Sequence, residues 1–326
     1  MKVVTTKKLH LFAGRHNMEL ADLVGENLGV SVTEAHLSQF ASGETHCRFA
    51  ESIRGSDVFI IQSHGEFEGR SINDAIMEHL IMVDAARRAS AKRITALMPF
   101  YGYGRQDRKS EGREPITARL IADLFSAAGA SRLVSIDLHS GQIQGFFNGP
   151  VDHLTAMPVL VNRLKQLGDD LVVVSPDAGR VKVAERYTQQ LSADLAIVHK
   201  RRSVGQKNMV EAKDVVGEVE GRRCVLIDDM IDTAGTICQA AELLVERGAI
   251  EVTAAATHGV FSGPAIDRLK NSVLDRVIVT DTLPMGPDKR FDKLELLSVA
   301  PLIADAIRAV FEDTSVSQIF GGQNQS

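Results

Sequence analysis

The chain has 326 residues, 44% hydrophobic and 24% charged, which are the proportions of a soluble globular protein and enough length for two domains with separate cores. A net charge of −5 argues against a general binder of nucleic acid or membrane surface, while leaving room for Arg and Lys to gather at a small anionic substrate. No apolar run approaches the ~18 residues of a membrane span. The basic start Met1 to Lys8 leads into no signal-peptide core, and Cys47, Cys224 and Cys238 lack metal-ligand spacing, so a cytoplasmic protein with reduced, structural cysteines is expected.

Apolar runs alternate with helical stretches along the whole chain. Strands are predicted at Val58–Gln62, Ile94–Met98 and Leu133–Asp137, the last leading into Leu138-His139. Turn residues at Gly149-Pro150 mark the expected boundary between domains 1–150 and 151–326. Beyond it come Leu171–Ser175, running into Pro176-Asp177-Ala178-Gly179, and Leu195–His199, running into the basic Lys200-Arg201-Arg202-Ser203-Val204-Gly205-Gln206-Lys207. Cys224–Ile227, Val252–Thr257 and Val277–Thr280 complete the set. This is the α/β pattern of parallel sheets. The strand spacing of the first half recurs in the second, and Ala89-Ser90-Ala91-Lys92-Arg93-Ile94-Thr95-Ala96 parallels Gly248-Ala249-Ile250-Glu251-Val252-Thr253-Ala254-Ala255, so a duplicated doubly wound domain is predicted.

The stretch Val225-Leu226-Ile227-Asp228-Asp229-Met230-Ile231-Asp232-Thr233-Ala234-Gly235-Thr236 carries the most chemistry. A buried parallel strand shows as a continuous apolar run. Ile237, Ala240, Ala241, Leu244 and Val245 then mark one face of a helix. The loop between them lies at a helix N-terminus, where unpaired N–H groups and the dipole favour a phosphate. Thr233 and Thr236 add hydroxyl donors, and Gly235 lets the backbone come close. Asp228 and Asp229 would repel that phosphate and so suit sugar hydroxyls or a hydrated cation such as Mg2+. A capping residue would account for one of these side chains, not for three carboxylates and two threonines together.

This segment resembles the phosphoribosyl-diphosphate-binding motif of type I phosphoribosyltransferases and of ribose-phosphate diphosphokinases (PRPP synthetases). Phe100-Tyr101-Gly102-Tyr103-Gly104-Arg105-Gln106-Asp107-Arg108-Lys109, Arg113-Glu114-Pro115-Ile116-Thr117-Ala118, Asp137-Leu138-His139, Gln142-Ile143-Gln144-Gly145-Phe146-Phe147 and Val174-Ser175-Pro176-Asp177 are similar to signatures of the second family, in its order, from about Leu9 to Phe320. The resemblance implies two phosphoribosyltransferase-like domains. The implied reaction moves the diphosphoryl group of ATP to the 1-hydroxyl of ribose 5-phosphate, giving PRPP and AMP for nucleotide, histidine and tryptophan synthesis.

By the same resemblance Lys200 is catalytic with Arg202 as its partner, on a basic loop expected to be mobile until it closes over the diphosphate. Asp228, Asp229, Asp232, Thr233, Ala234, Gly235 and Thr236, with Arg202, take ribose 5-phosphate; Asp177, Ala178 and Gly179 form the diphosphate loop. His139 and Asp177 accompany Mg2+, His139 either directly or through water or a phosphate. Arg105, Gln106 and Asp107 read ATP, with Phe40, Ser42, Gly43 and Glu44 supplied by a neighbouring subunit. Arg105 and Phe40 would sandwich the adenine. The resemblance further implies a homohexamer with ADP and phosphate as effectors, and a regulatory anion site near Ser315 and Ser317. Two positions depart from the pattern: Ser42 stands where Asp or Asn is usual, and Arg180 replaces a second glycine. Arg180 is expected in right-handed backbone at the start of a helix, its side chain either at the rim of the diphosphate site or facing solvent and paired with a nearby carboxylate.

Two other readings compete. A plain phosphoribosyltransferase would need one domain and a base-binding hood. A regulator on the same fold would be expected to lose the Lys200/Arg202 pair or the acidic pair, or to gain a DNA-binding segment.

Overall fold

Side chains that alternate between the two faces of an apolar strand require a layer on each side of the sheet, and that requirement organises the chain. The computed structural model describes residues 7–201 and 212–320. The first half runs β1 (Leu9–Ala13), α1 (Met18–Leu28), β2 (Ala35–Gln39), β3 (Thr45–Phe49), β4 (Asp57–Ile61), α2 (Ile72–Arg88), β5 (Arg93–Met98), α3 (Thr117–Ala128), β6 (Arg132–Ile136), β7 (Val151–Leu154) and α4 (Met157–Leu164). The second half repeats it element for element: β8 (Leu171–Ser175), α5 (Val181–Leu191), β9 (Asp194–Arg201), β10 (Ala212–Val216), β11 (Arg223–Ile231), α6 (Gly235–Glu246), β12 (Glu251–Gly259), α7 (Ala265–Asn271), β13 (Arg276–Thr280), β14 (Leu294–Leu297) and α8 (Ala300–Phe311). The duplication expected from the strand spacing is therefore complete in the order of elements.

The chain divides into two units. The first runs to Thr155 and adds Thr282–Pro284 and the segment from Ser298 onward; the second holds Ala156–Asp281 and Met285–Leu297. Unit 1 is a parallel sheet in the order β1-β4-β5-β6-β7, with β2 and β3 as a separate antiparallel hairpin. Unit 2 has the order β10-β9-β8-β11-β12-β13-β14, parallel except where β10 meets β9. In unit 2 Val172, Val174, Leu226 and Ala254 pack on one face with Ile237, Ala240 and Ala241 of α6, while Val173, Val225, Ile227 and Ala255 pack on the other with α4 and α5. In unit 1 Val58, Ile60, Ala96 and Met98 pack against Met82 and Val83 of α2 and Phe125 of α3.

The division differs from the expected Gly149-Pro150 boundary for two physical reasons. The β7 strand pairs with β6, so the sheet of unit 1 continues through Leu154. The closing helix of each repeat also covers the other repeat's unit: α4 packs on α5 and β12 in unit 2, and α8 packs on α1 in unit 1. Lys7 Nζ and Arg93 Nη1 both meet Asp313, fastening the end of α8 to unit 1.

All eight expected strands are present. The unpredicted ones are edges or exposed pairs: β2 and β3 bury no residue fully, and β7 and β14 are four-residue edge strands. Sheet register corrects the quoted parallel by one residue, because Arg93 lies opposite Asp57 and Glu251 lies opposite Arg223. The repeat thus aligns Arg93 with Glu251, a charge-reversed pair at the start of equivalent strands. In α6, Ile237, Ala240, Ala241 and Leu244 are buried as expected, but Val245 is exposed because it lies past the edge of the packed stripe.

Candidate active site

Open α/β sheets hold ligands at the C-terminal ends of their strands, and in unit 2 those of β8 and β11 are chemically dense. Asp228 and Asp229 lie in the last part of β11, which pairs with β12 as far as Ile231, and the chain then turns through Asp232 and Thr233 into α6. Thr233 and Thr236 are exposed, and Asp232 and Gly235 are half-buried, so the loop faces solvent. No side chain caps α6, whose N-cap residue is Ala234. Its first N–H groups therefore remain available to an anion. The residue in left-handed backbone is Ala234, at φ 61°, and not Gly235. An L-residue held there costs about 1–2 kcal/mol, strain of the kind that gathers at ligand-binding turns. Sequence reasoning missed the brace on this loop: Arg268 Nη1 donates to Thr233 O at 2.9 Å.

Across from it, β8 ends at Ser175 and the chain makes a short 3-10 turn, Ala178–Arg180, before α5. Asp177 caps that turn, its Oδ1 accepting the N–H groups of Gly179 at 2.7 Å and Arg180 at 3.2 Å. Arg180 has φ −103° and ψ 4°, right-handed as expected. Its side chain reaches the acidic pair itself, with Nε 3.2 Å from Asp228 Oδ1 and Nη2 2.7 Å from Asp229 Oδ1. It pairs with carboxylates, as one of the two expected placements had it, but it does not face solvent: the side chain is little exposed and its partners belong to the cradle. Burial, reinforced by the neighbouring Asp229 charge, pushes the Asp228 carboxyl above the usual carboxylate range, while Arg180 pulls it back.

Lys200 lies on β9, where its backbone pairs with Lys213 of β10. Arg202 and the rest of the basic loop lie outside the described residues.

Unit 1 carries the residues expected to read ATP. Phe40 and Ser42–Glu44 form the β2–β3 turn, closed by Phe40 N–H donating to Glu44 O at 2.8 Å and Gly43 N–H to Phe40 O at 2.8 Å. Gly43, at φ 93°, supplies the conformation the turn requires. Phe40 is 57% exposed, which removes a core role and leaves an aromatic face standing in solvent. The Ser42 hydroxyl donates to Glu44 Oε2 at 2.7 Å. Arg105 is exposed, and Gln106 holds the start of α3 through its carbonyl and the Ala118 N–H at 3.1 Å. Asp107 is buried, taking Gln142 Nε2 on its carboxylate at 2.7 Å, so its place is beneath the reader loop as a support. His139 is half-buried just past β6, where Asp137 takes a positive φ of 39°.

Among the described residues no three His, Cys, Asp or Glu side chains are grouped to hold a metal ion. Mg2+ is commonly bound by one or two carboxylates together with substrate phosphates. The fit is reasonable at Asp177, an oxygen donor at a strand end: its Oδ1 serves the two amides, and Oδ2 can still accept from a hydrated cation.

Unit 2 thus brings together a strained loop before a helix N-terminus, an acidic pair beside it and a second short loop facing it. The N-terminal domain model of ribose phosphate pyrophosphokinase matches residues 9–129, and a phosphoribosyl synthetase-associated domain matches residues 204–321. The ribose-phosphate pyrophosphokinase of Streptomyces avermitilis is 54% identical over 99% of both chains, and that of Bifidobacterium longum is 54% identical over 96% of this chain and 93% of its own. The crystal structure of phosphoribosylpyrophosphate synthetase from Mycobacterium smegmatis superposes with a TM-score of 0.88 at 54% identity, over 94% of this chain and all of the other. The chain belongs to the ribose-phosphate pyrophosphokinase family, transferases that make PRPP from ATP and ribose 5-phosphate. That membership sets aside the plain phosphoribosyltransferase and the regulator.

Proposed function

We propose that this chain transfers the β,γ-diphosphoryl group of ATP to the 1-hydroxyl of ribose 5-phosphate with the residues just described. The observation that carries the assignment is the cradle from Asp228 to Thr236: an uncapped helix N-terminus for the 5-phosphate and a carboxylate pair for the sugar hydroxyls. Asp229, Asp232, Thr233, Ala234, Gly235 and Thr236 complete that site, and Asp177, Ala178 and Gly179 hold diphosphate. Lys200 and Arg202 supply the positive charge that such a transfer needs, because negative charge spreads over the oxygens of the transferred group. Arg105 and Gln106 read the adenine, and Asp107 positions them. Phe40, Ser42, Gly43 and Glu44 serve a neighbouring subunit, a role consistent with the exposure of Phe40. Mg2+ neutralises the phosphates when ATP brings it in, with Asp177 and His139 as the side chains assigned to it.

The assembly is a homohexamer responding to ADP and phosphate. Ser315 and Ser317, whose hydroxyls are 2.8 Å apart on the surface, are candidates for a regulatory anion site. No helix among the described residues is long and apolar enough to cross a membrane, and we place the protein in the cytoplasm. Supplying ATP, Mg2+ and ribose 5-phosphate should yield AMP and PRPP in equal amounts, measured by chromatography. Release of ADP or of free diphosphate alone would overturn the assignment.

A further inference from the structure

Two groups of opposite charge on one short turn occupy both halves of the unit 2 cradle. At one end of the turn the Asp177 carboxylate sits on the N–H groups of Gly179 and Arg180, where a diphosphate oxygen would be received. At the other end the Arg180 guanidinium lies across Asp228 and Asp229, on the oxygens a sugar hydroxyl needs. Both contacts are intramolecular stand-ins, an anion for the phosphate and a cation for the groups the acidic pair would otherwise face. Arg180 is little exposed at 18%, and Asp229 still less at 9%, so this pairing is built into the strand ends and is not a surface ion pair.

We propose that Arg180 is a positioning residue that changes partners during substrate capture: it leaves Asp228 and Asp229 for the incoming diphosphate and thereby frees Asp228 for ribose. This rests on the reading that the cradle binds ribose 5-phosphate. The geometry favours a single movement. Arg180 follows the amides that Asp177 caps, so a diphosphate that displaces Asp177 arrives beside the guanidinium, which prefers a phosphate it can grip with two N–H groups. Diphosphate and ribose 5-phosphate consequently assist one another, because the first removes the competitor of the second. A glycine at this position could not link the two.

The test is calorimetric titration of wild type and Arg180→Gln with two probes: ribose 5-phosphate alone, and magnesium diphosphate alone. Freed of its competitor, Arg180→Gln should bind ribose 5-phosphate about fivefold more tightly, while losing about tenfold in affinity for magnesium diphosphate through the missing charged contact. A static ion pair predicts no such opposition, so both affinities weakening together, or neither moving, would overturn the proposal. Arg180→Lys keeps the charge but cannot span two carboxylates, and should give both changes at smaller size. It serves as the readout if Arg180→Gln does not fold by thermal melting. A wild type that binds neither probe and releases no AMP would overturn the functional reading and this proposal together. A wild type that binds both and turns over, with the variants shifted in one direction only, would overturn this proposal alone.

Discussion

The two units share their order of elements and differ at the ends of their central strands. Sheet register places Gln62 and Ser63 of unit 1 where unit 2 has Asp228 and Asp229, and Arg15 where unit 2 has Asp177. In unit 1 that region is solid. Gln62 Oε1 accepts the His16 N–H at 3.0 Å, its Nε2 donates to Glu78 Oε1 at 3.0 Å, and Arg15 reaches Glu78 through its backbone N–H at 2.7 Å and its Nε at 2.6 Å. His16, Gln62, Ser63, His64, Glu78 and His79 are all buried, and a Cβ on Gly14 would lie 2.3 Å from Gln62 Oε1. Unit 2 closes the same strand ends with a single short turn, Asp177 on the loop amides and Arg180 on the acidic pair, and leaves Thr233 and Thr236 exposed beside them. A fold therefore leaves room for a ligand at these ends, and a handful of residues decides whether a substrate or the protein's own side chains fill it.

The contrast predicts that disrupting unit 1 is a stability event and disrupting unit 2 a kinetic one. Glu78→Ala strands Arg15 and Gln62 in a buried site and should lower unfolding free energy by about 3–5 kcal/mol, read by urea denaturation, with the KM for ribose 5-phosphate in the surviving folded protein nearly unchanged. A large change in that KM with normal stability would break the comparison. Lys200→Ala should do the reverse, lowering kcat by at least ~100-fold, or roughly 2.7 kcal/mol of transition-state stabilisation, without shifting the melting curve. Near-normal turnover would remove Lys200 from the mechanism. Thr236→Val deletes one phosphate donor worth about 1.5–3 kcal/mol, so the KM for ribose 5-phosphate should rise while that for ATP stays put; movement of the ATP value alone would mean the two sites are reversed.

A smaller effect concerns acid. Burial holds His79 down at about 3 and His64 well below its ordinary 6.5, while Glu78, which burial alone would raise, is held at about 2 by bonds from His16 and Arg15. For the histidines the unfolded chain binds protons that the folded chain refuses. Their contribution is full above pH 6.5 and declines as pH falls toward 3. Glu78 adds a loss with the same sign below its ordinary 4.5. His79→Leu should therefore lose less stability than wild type between pH 7.5 and about 5. Equal losses in urea titrations would refute the assignment.

What the sequence disclosed follows from range. The apolar runs at Val172–Val174 and Leu226–Ile227 and the cradle from Asp228 to Thr236 are local patterns with local causes, and all were legible. The hairpin carrying Phe40 was not foreseen, since its alternating strands bury little; only the role of Phe40 was assigned, by resemblance. Arg180 was seen as a departure, but its hold on Asp228 and Asp229 depends on two loops meeting at the ends of neighbouring strands, which no spacing encodes. Asp107 read as a ligand contact because its hydrogen-bond partner, the exposed Gln142, lies 35 residues away. The exchange of α4 and α8 had no signature at all, both being ordinary amphipathic helices whose sequence does not say which sheet they cover.

The placement of α8 also fixes when the first unit can be finished. Its contacts to α1 join positions such as Arg308 and Asn27, 281 residues apart, so during synthesis α1 waits without its partner helix while the whole of unit 2 is made. Apolar surface exposed for that long on a nascent chain invites capture by other chains. Vectorial production thus makes unit 2, the later half in sequence, the first that can close completely, and leaves the release of the final helix from the ribosome as the step that seals the earlier half.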